Sequence, residues 1–184
     1  GNQRIEKAFP TEGLHTIKLR GAFTGAAGSR FSFYGANDCT PELLFDITGA
    51  TSPSLTGIRS GRDMFRNCTG ITSFTAANWF DQASGNVTDM SNMFRGASSF
   101  QSDLSAWNVG EVTNMAYMFR DASSFNSDMS AWNVANVTNM EFMFYNASSF
   151  NSDLSAWNVG EVTNMTYMFY NASSFQSDLS AWNV

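Results

Sequence analysis

The chain has 184 residues, of which 43% are hydrophobic, 15% aromatic and 14% charged, and its formal net charge is −6. The charged share falls well below the ~25% of an average soluble protein, and the apolar content is ample for a core, which excludes a disordered chain. No apolar run approaches the ~18 residues of a membrane span, so membrane insertion is excluded as a working reading.

The chain opens on a polar stretch, Gly1-Asn2-Gln3-Arg4, without the pattern of a secretory leader; a leader was either never there or has been removed. His15, Ile17 and Leu19 alternate with Thr16, Lys18 and Arg20, which predicts a strand. Phe31 and Phe33 predict a second strand, and Leu43 to Ile47 a third. Gly-rich stretches (Gly25 to Gly28, Gly49) separate them. The segment 1–57 is therefore expected to be a small β-rich cap that covers the open end of a repeat array beginning at residue 58. The two cysteines, Cys39 and Cys68, are too few for a disulfide scaffold. They are read either as one bridge or as two small buried thiols; neither lies in a C-x-x-C pair that would hold zinc.

From residue 58 the chain is repetitive. A degenerate unit spans 58–86, in which Ile58, Met64-Phe65, Cys68-Thr69 and Phe74 echo later positions, with Trp79 a weaker echo. Four close copies of a 25-residue phrase then start at Val87, Val112, Val137 and Val162. A period this strict reads as a solenoid rather than a globular domain. Within a unit, Met90, Met93, Phe94 and Ala97 fall at i, i+3, i+4 and i+7, which predicts a short helix of about two turns. Thr88 or Asp89 would cap it, and Ser98-Ser99 would end it. Leu104, Trp107 and Val109 follow at the spacing of a leucine-rich-repeat strand, with Asn108 facing outward. The fold class expected is thus α/β, a right-handed leucine-rich-repeat-like solenoid of helix-plus-strand units. The Met, Phe and Trp side chains that recur in register are expected to form its continuous interior. The chain stops inside a repeat at Val184. That reads as a piece of a longer array, or as an open carboxyl-terminal coil available for end-to-end self-association.

Charge is unevenly placed. Residues 1–86 carry eight basic and seven acidic side chains, whereas 87–184 carry two basic (Arg95, Arg120) and nine acidic. So acidic a surface repels phosphate, which makes nucleic acid and anionic membrane poor partners for that half.

The phrase VTNMAYMFRDASSFNSDMSAWNV and its three sisters resemble the repeats of bacterial surface proteins and lipoproteins, the BspA-like leucine-rich-repeat group. The resemblance covers 58–184. The segment FPTEGLHTIKLRGAF also resembles the closing strand of a PKD-like β-sandwich, although the W-G-D-G phrase of that family is missing. The resemblance implies a cell-surface or secreted protein that works in adhesion or recognition, and it transfers no catalytic residue.

Several recurring positions are candidate sites. Asp103, Asp128, Asp153 and Asp178 recur every 25 residues, close enough in stacked units for like charges to repel. Each is expected either to accept backbone N–H groups in a turn or to share a bound calcium with its neighbours. Asn108, Asn133, Asn158 and Asn183 form a second row, and Thr88, Thr113, Thr138 and Thr163 a third. They are read as rungs that satisfy one another and the backbone, or as a flat polar face for a ligand; a water-ordering hydroxyl array is a remote third reading. The positions that differ between units carry Tyr117, Phe142, Tyr145, Tyr167 and Tyr170. Aromatic side chains at variable surface positions point to a recognition surface, against the plainer reading of lateral packing between neighbouring helices. Six N-x-[ST] sequons occur, at Asn67, Asn86, Asn136, Asn146, Asn164 and Asn171, mostly as a by-product of the repeat.

Catalysis has little support. His15 is the only histidine, and no phosphate-binding loop, G-x-S-x-G or H-E-x-x-H phrase is present. The aspartate row is too regular to single out one acid and one base. The expected function is therefore binding: a surface or secreted module that presents a rigid face to a protein or glycan, with no cofactor unless calcium. A spacer that holds another domain away from the cell is the first alternative, and a carboxylate-based glycan hydrolase the second.

Overall fold

The computed structural model describes residues 60–72 and 87–184. The expected cap at 1–57, with its three strands, His15 and Cys39, lies outside the described residues, as does the 73–86 part of the degenerate unit.

The 25-residue period organises the described chain into stacked coils. Single parallel bridges link Ser60 to Asp89, Asp89 to Asn114, Asn114 to Asn139 and Asn139 to Asn164. The interior consists of side chains that superimpose from coil to coil. Phe65, Phe94, Phe119, Phe144 and Phe169 form one column, with ring centroids 5.3–5.7 Å apart and planes within 10°. Phe100, Phe125, Phe150 and Phe175 form a second at 5.8–5.9 Å. The columns interlock, since Phe100 stacks on Phe94 at 4.1 Å and Phe125 on Phe119 at 3.9 Å. Trp132, Trp157 and Trp182 make a third column at 6.4–6.5 Å. Met90, Met93, Met115, Met118, Met140 and Met143 fill the space between rings and are wholly buried. Offset stacking at these separations adds to the burial of apolar area, which is the main favourable term.

The expected helix-plus-strand architecture is corrected: the described residues contain no helix, and their strand pairing is confined to isolated bridges. The backbone at 90–97 explains the first difference. Asn92 and Gly96 have φ of 57° and 72°, and the equivalents Tyr117, Asp121, Phe142, Asn146, Tyr167 and Asn171 all lie between 53° and 61°. Two left-handed residues four apart cannot belong to a right-handed helix. The segment instead makes successive turns: Met93 N–H to Met90 C=O, Arg95 to Asn92, Ala97 to Phe94 and Phe100 to Ala97. Positive φ falls at the third residue of the first and third of these, as a type II turn requires. The intervening N–H groups, of Met90, Asn92, Phe94 and Gly96, donate to the next coil, to the carbonyls of Asn114, Ala116, Met118 and Arg120 at 2.7–2.9 Å. Half of the bonds that would close a helix thus stitch coils together.

The expected strand at Leu104–Val109 also forms no ladder. Its outward alternation is present, since Trp107 and Val109 are buried while Asn108 is exposed. Side chains occupy the positions a neighbouring strand would use. The Leu104 N–H donates to Oγ of Ser127 at 2.8 Å, and Nε1 of Trp132 donates to the Leu104 carbonyl at 3.0 Å. The same pair of bonds recurs at Met129 (Ser152, Trp157) and Leu154 (Ser177, Trp182).

Candidate functional site

The turn at 90–97 and its copies place two residues per coil on one surface, side by side. One row, in coil order, is Asp63, Asn92, Tyr117, Phe142 and Tyr167, all with left-handed φ. The adjacent row is Arg66, Arg95, Arg120, Tyr145 and Tyr170. In each coil the second-row N–H donates to the first-row carbonyl three residues back, which fixes the two rows together. Tyr117 stacks on Phe142 at 5.1 Å, and Phe142 meets Tyr167 at 5.2 Å. Tyr145 stacks on Tyr170 at 5.0 Å. Across the rows, Phe142 meets Tyr145 at 5.3 Å, and Tyr167 meets Tyr170 edge-on at 5.7 Å. All five aromatic residues expected at variable positions therefore come together in one strip. They sit on turns rather than on a helix. Tyr167 and Tyr170 are 58% and 49% exposed; Tyr117, Phe142 and Tyr145 are half-buried by stacking.

Two of the strip's three guanidiniums lie against its rings. Arg120 lies 5.7 Å from the centre of Tyr117, 5.3 Å from Phe142 and 5.0 Å from Tyr145, so three rings surround it. Arg95 sits 5.7 Å from the same Tyr117 ring. Rings hold cations by their negative faces at such distances. Arg120 also pairs with Asp121 at 3.2 Å. Asp121 accepts from Nδ2 of Asn146 at 2.7 Å, and Asn146 accepts from Nδ2 of Asn171 at 3.0 Å, so a polar chain borders the aromatic rows. Desolvation lowers the Arg95 pKa, and the neighbouring charges of Arg120 and Arg66 lower it further. Desolvation and the Glu141 carboxylate raise that of Tyr117.

The other expected site residues lie in turns elsewhere on the coil. Asp103, Asp128, Asp153 and Asp178 each accept the N–H of the serine two residues on, at 2.8–2.9 Å. Asp103 also accepts from Ser127 Oγ, and Asp153 from Ser177 Oγ. The backbone N–H bond is the main reason all four carboxyls titrate below the ordinary aspartate value, with the serine hydroxyls adding to it. No group of three or more His, Cys, Asp or Glu that could hold a metal ion forms among the described residues. Asn108, Asn133 and Asn158 accept the N–H of Gly110, Ala135 and Gly160 in a similar turn. Thr113, Thr138 and Thr163 each donate both N–H and Oγ1–H to the threonine carbonyl one coil earlier. Cys68 is buried and disulfide-bonded; Cys39 falls outside the described residues.

Arg95 and Arg120 are not among the site residues expected from the sequence, although a signal for them is there. They are the only basic side chains in 87–184, and they stand one period apart. The left-handed positions carry a signal too: Gly96, Asp121, Asn146 and Asn171 share a column, and these are the residue types that tolerate positive φ.

A family model described as a Mycoplasma protein of unknown function, DUF285, matches residues 59–182. No curated protein and no solved structure matches the chain.

Proposed function

The chain belongs to the DUF285 family, and from that membership together with the geometry of the aromatic strip we propose that it is a recognition module, displayed at a cell surface or secreted, that binds a partner through this strip. The likeness of its repeats to the BspA-like surface repeats is part of the same proposal.

One observation carries the reading. Tyr117, Phe142 and Tyr167 hold φ of 61°, 53° and 53°. A bulky residue in the left-handed region costs about 1–2 kcal/mol, which Gly largely avoids and Asn or Asp reduces. The first two described coils place Asp63 and Asn92 at the same position, with the same turn and the same bonds to the next coil. The fold itself therefore does not call for aromatic side chains there. Strain retained where an unstrained residue serves the fold is a mark of a functional surface. The row is held by backbone bonds between coils, the N–H of Tyr117 donating to the Glu141 carbonyl and that of Phe142 to the Thr166 carbonyl, so little conformational entropy is lost on binding.

The reading is of binding rather than catalysis, because each recurring aspartate spends an oxygen on a serine N–H in the same way, so the row sets no one acid apart from one base. The test replaces Tyr145 and Tyr170 together with Ser and screens both proteins against intact cells, glycans and surface proteins. Loss of binding with an unchanged melting temperature supports recognition. Unchanged adhesion supports the spacer reading instead, and release of sugar from any glycan supports the hydrolase.

A further inference from the structure

Resting on the recognition reading, the strip also indicates what its ligand carries. The second row runs Arg66, Arg95, Arg120, Tyr145, Tyr170, with cations at one end and phenols at the other. Stacking guanidiniums in consecutive coils is unfavourable, and the two arginines after residue 86 both sit here, in a stretch with nine acidic side chains to draw on. The neutralisation is also incomplete. Arg66 bonds Asp63 at 3.3 Å, and Arg120 bonds Asp121 at 3.2 Å. At the position equivalent to Asp63, Arg95 has the neutral amide of Asn92, whose Oδ1 it meets at 3.4 Å. No carboxylate among the described residues forms an ion pair with Arg95. Arg95 and Arg120 stand in consecutive coils, each 5.7 Å from the centre of the Tyr117 ring, and near enough that the charge of Arg120 lowers the Arg95 pKa.

We propose that Arg95 and Arg120 together bind a carboxylate of an acidic polysaccharide whose sugar rings continue along Tyr117, Phe142, Tyr145 and Tyr170. Planar guanidiniums suit a carboxylate because they offer paired N–H donors. The spacing favours a glycan over an acidic peptide. The rings along the rows repeat every 5.0–5.2 Å. Side chains on one side of an extended peptide repeat about every 6.6 Å and fall out of step with the coils. A pyranose chain advances about one ring per coil. Charge density argues the same way: the acidic remainder of 87–184 repels a dense polyanion such as nucleic acid, whereas a polymer with a carboxylate on every second sugar meets far less repulsion.

The experiment titrates the full chain with a polysaccharide bearing a uronic acid on every second sugar, and with the same polymer after carboxyl reduction, by calorimetry at low and physiological salt. The acidic polymer is expected to bind and the reduced one to bind about tenfold or more weakly. Arg95→Gln and Arg120→Gln should each weaken the acidic polymer by a similar factor and the reduced one by much less, with thermal unfolding showing that both fold. Arg95→Lys, which keeps the charge but not the paired donors, should recover part of the loss. Equal binding of the two polymers, or no change in Arg95→Gln, overturns the inference. Binding of polyglutamate but of neither polymer also overturns it while leaving recognition at the strip standing. If no acidic ligand binds and the Tyr145/Tyr170 double variant adheres like its parent, both readings fall.

Discussion

The hydroxyl of Ser127 takes the backbone N–H of Leu104 from the neighbouring coil at 2.8 Å and lies 3.5 Å from the carboxylate of Asp103. One side chain thus closes a backbone bond that a strand would otherwise make, and ties a carboxylate to the adjacent coil. Ser127 is buried, so its removal leaves the Leu104 N–H without a partner or water. Ser127→Ala should destabilise the chain by about 1–3 kcal/mol, the usual cost of an unsatisfied buried donor. Chemical denaturation will show it; a variant as stable as the parent would mean that the bond contributes nothing net.

Acid should loosen the same stitches. Asp103, Asp128, Asp153 and Asp178 titrate below 3.8 when folded, chiefly because each accepts a serine N–H. A depressed folded pKa means that the unfolded chain takes up protons first as pH falls. Their contribution is therefore complete above about pH 5, and is lost as pH drops through 3.8 and on through the folded values. Melting temperature should decline over that range, and more gently in Asp128→Asn. A chelator in place of acid serves as the control: a melting temperature that fell with chelator would bring calcium back to these aspartates.

Trp132 carries both a packing and a polar role. It is 4% exposed, stacks on Trp157 at 6.5 Å, and donates from Nε1 to the Leu104 carbonyl. Trp132→Ala should cost about 3–5 kcal/mol. The damage should be centred on the coils that meet at 104 and 157, which hydrogen exchange can locate.

Gly96 tests the left-handed positions. Its φ is 72°, and an added Cβ would lie 2.6 Å from Oδ1 of Asn67. Gly96→Ala should cost about 1–2 kcal/mol, mostly from the backbone, because the Asn67 side chain can shift. Gly96→Asn should cost less than Ala despite its larger side chain, since Asn146 and Asn171 already occupy this position two and three coils on. Urea melts of the two variants will decide; Asn ranking below Ala would show that space, not φ, governs the site.

The repeat spacing alone specified the period, the buried set and the aromatic positions. Met90, Met93, Phe94 and Ala97 are all buried, and Trp107 and Val109 point inward around an exposed Asn108. That much is legible because burial depends on which side chains are apolar and how they recur. The backbone path was not legible in the same way. Apolar residues at i, i+3, i+4 and i+7 fit one face of a helix, but they equally fit two successive turns with left-handed residues between them, and apolar spacing cannot separate the two. What separates them is where the N–H groups of Met90, Asn92, Phe94 and Gly96 find carbonyls, and those belong to Asn114, Ala116, Met118 and Arg120 in the next coil. The pairing of Arg95 and Arg120 over one tyrosine ring has the same origin. It exists because coils a full period apart stack in register, a relation set by packing between distant segments rather than by any local preference of the chain.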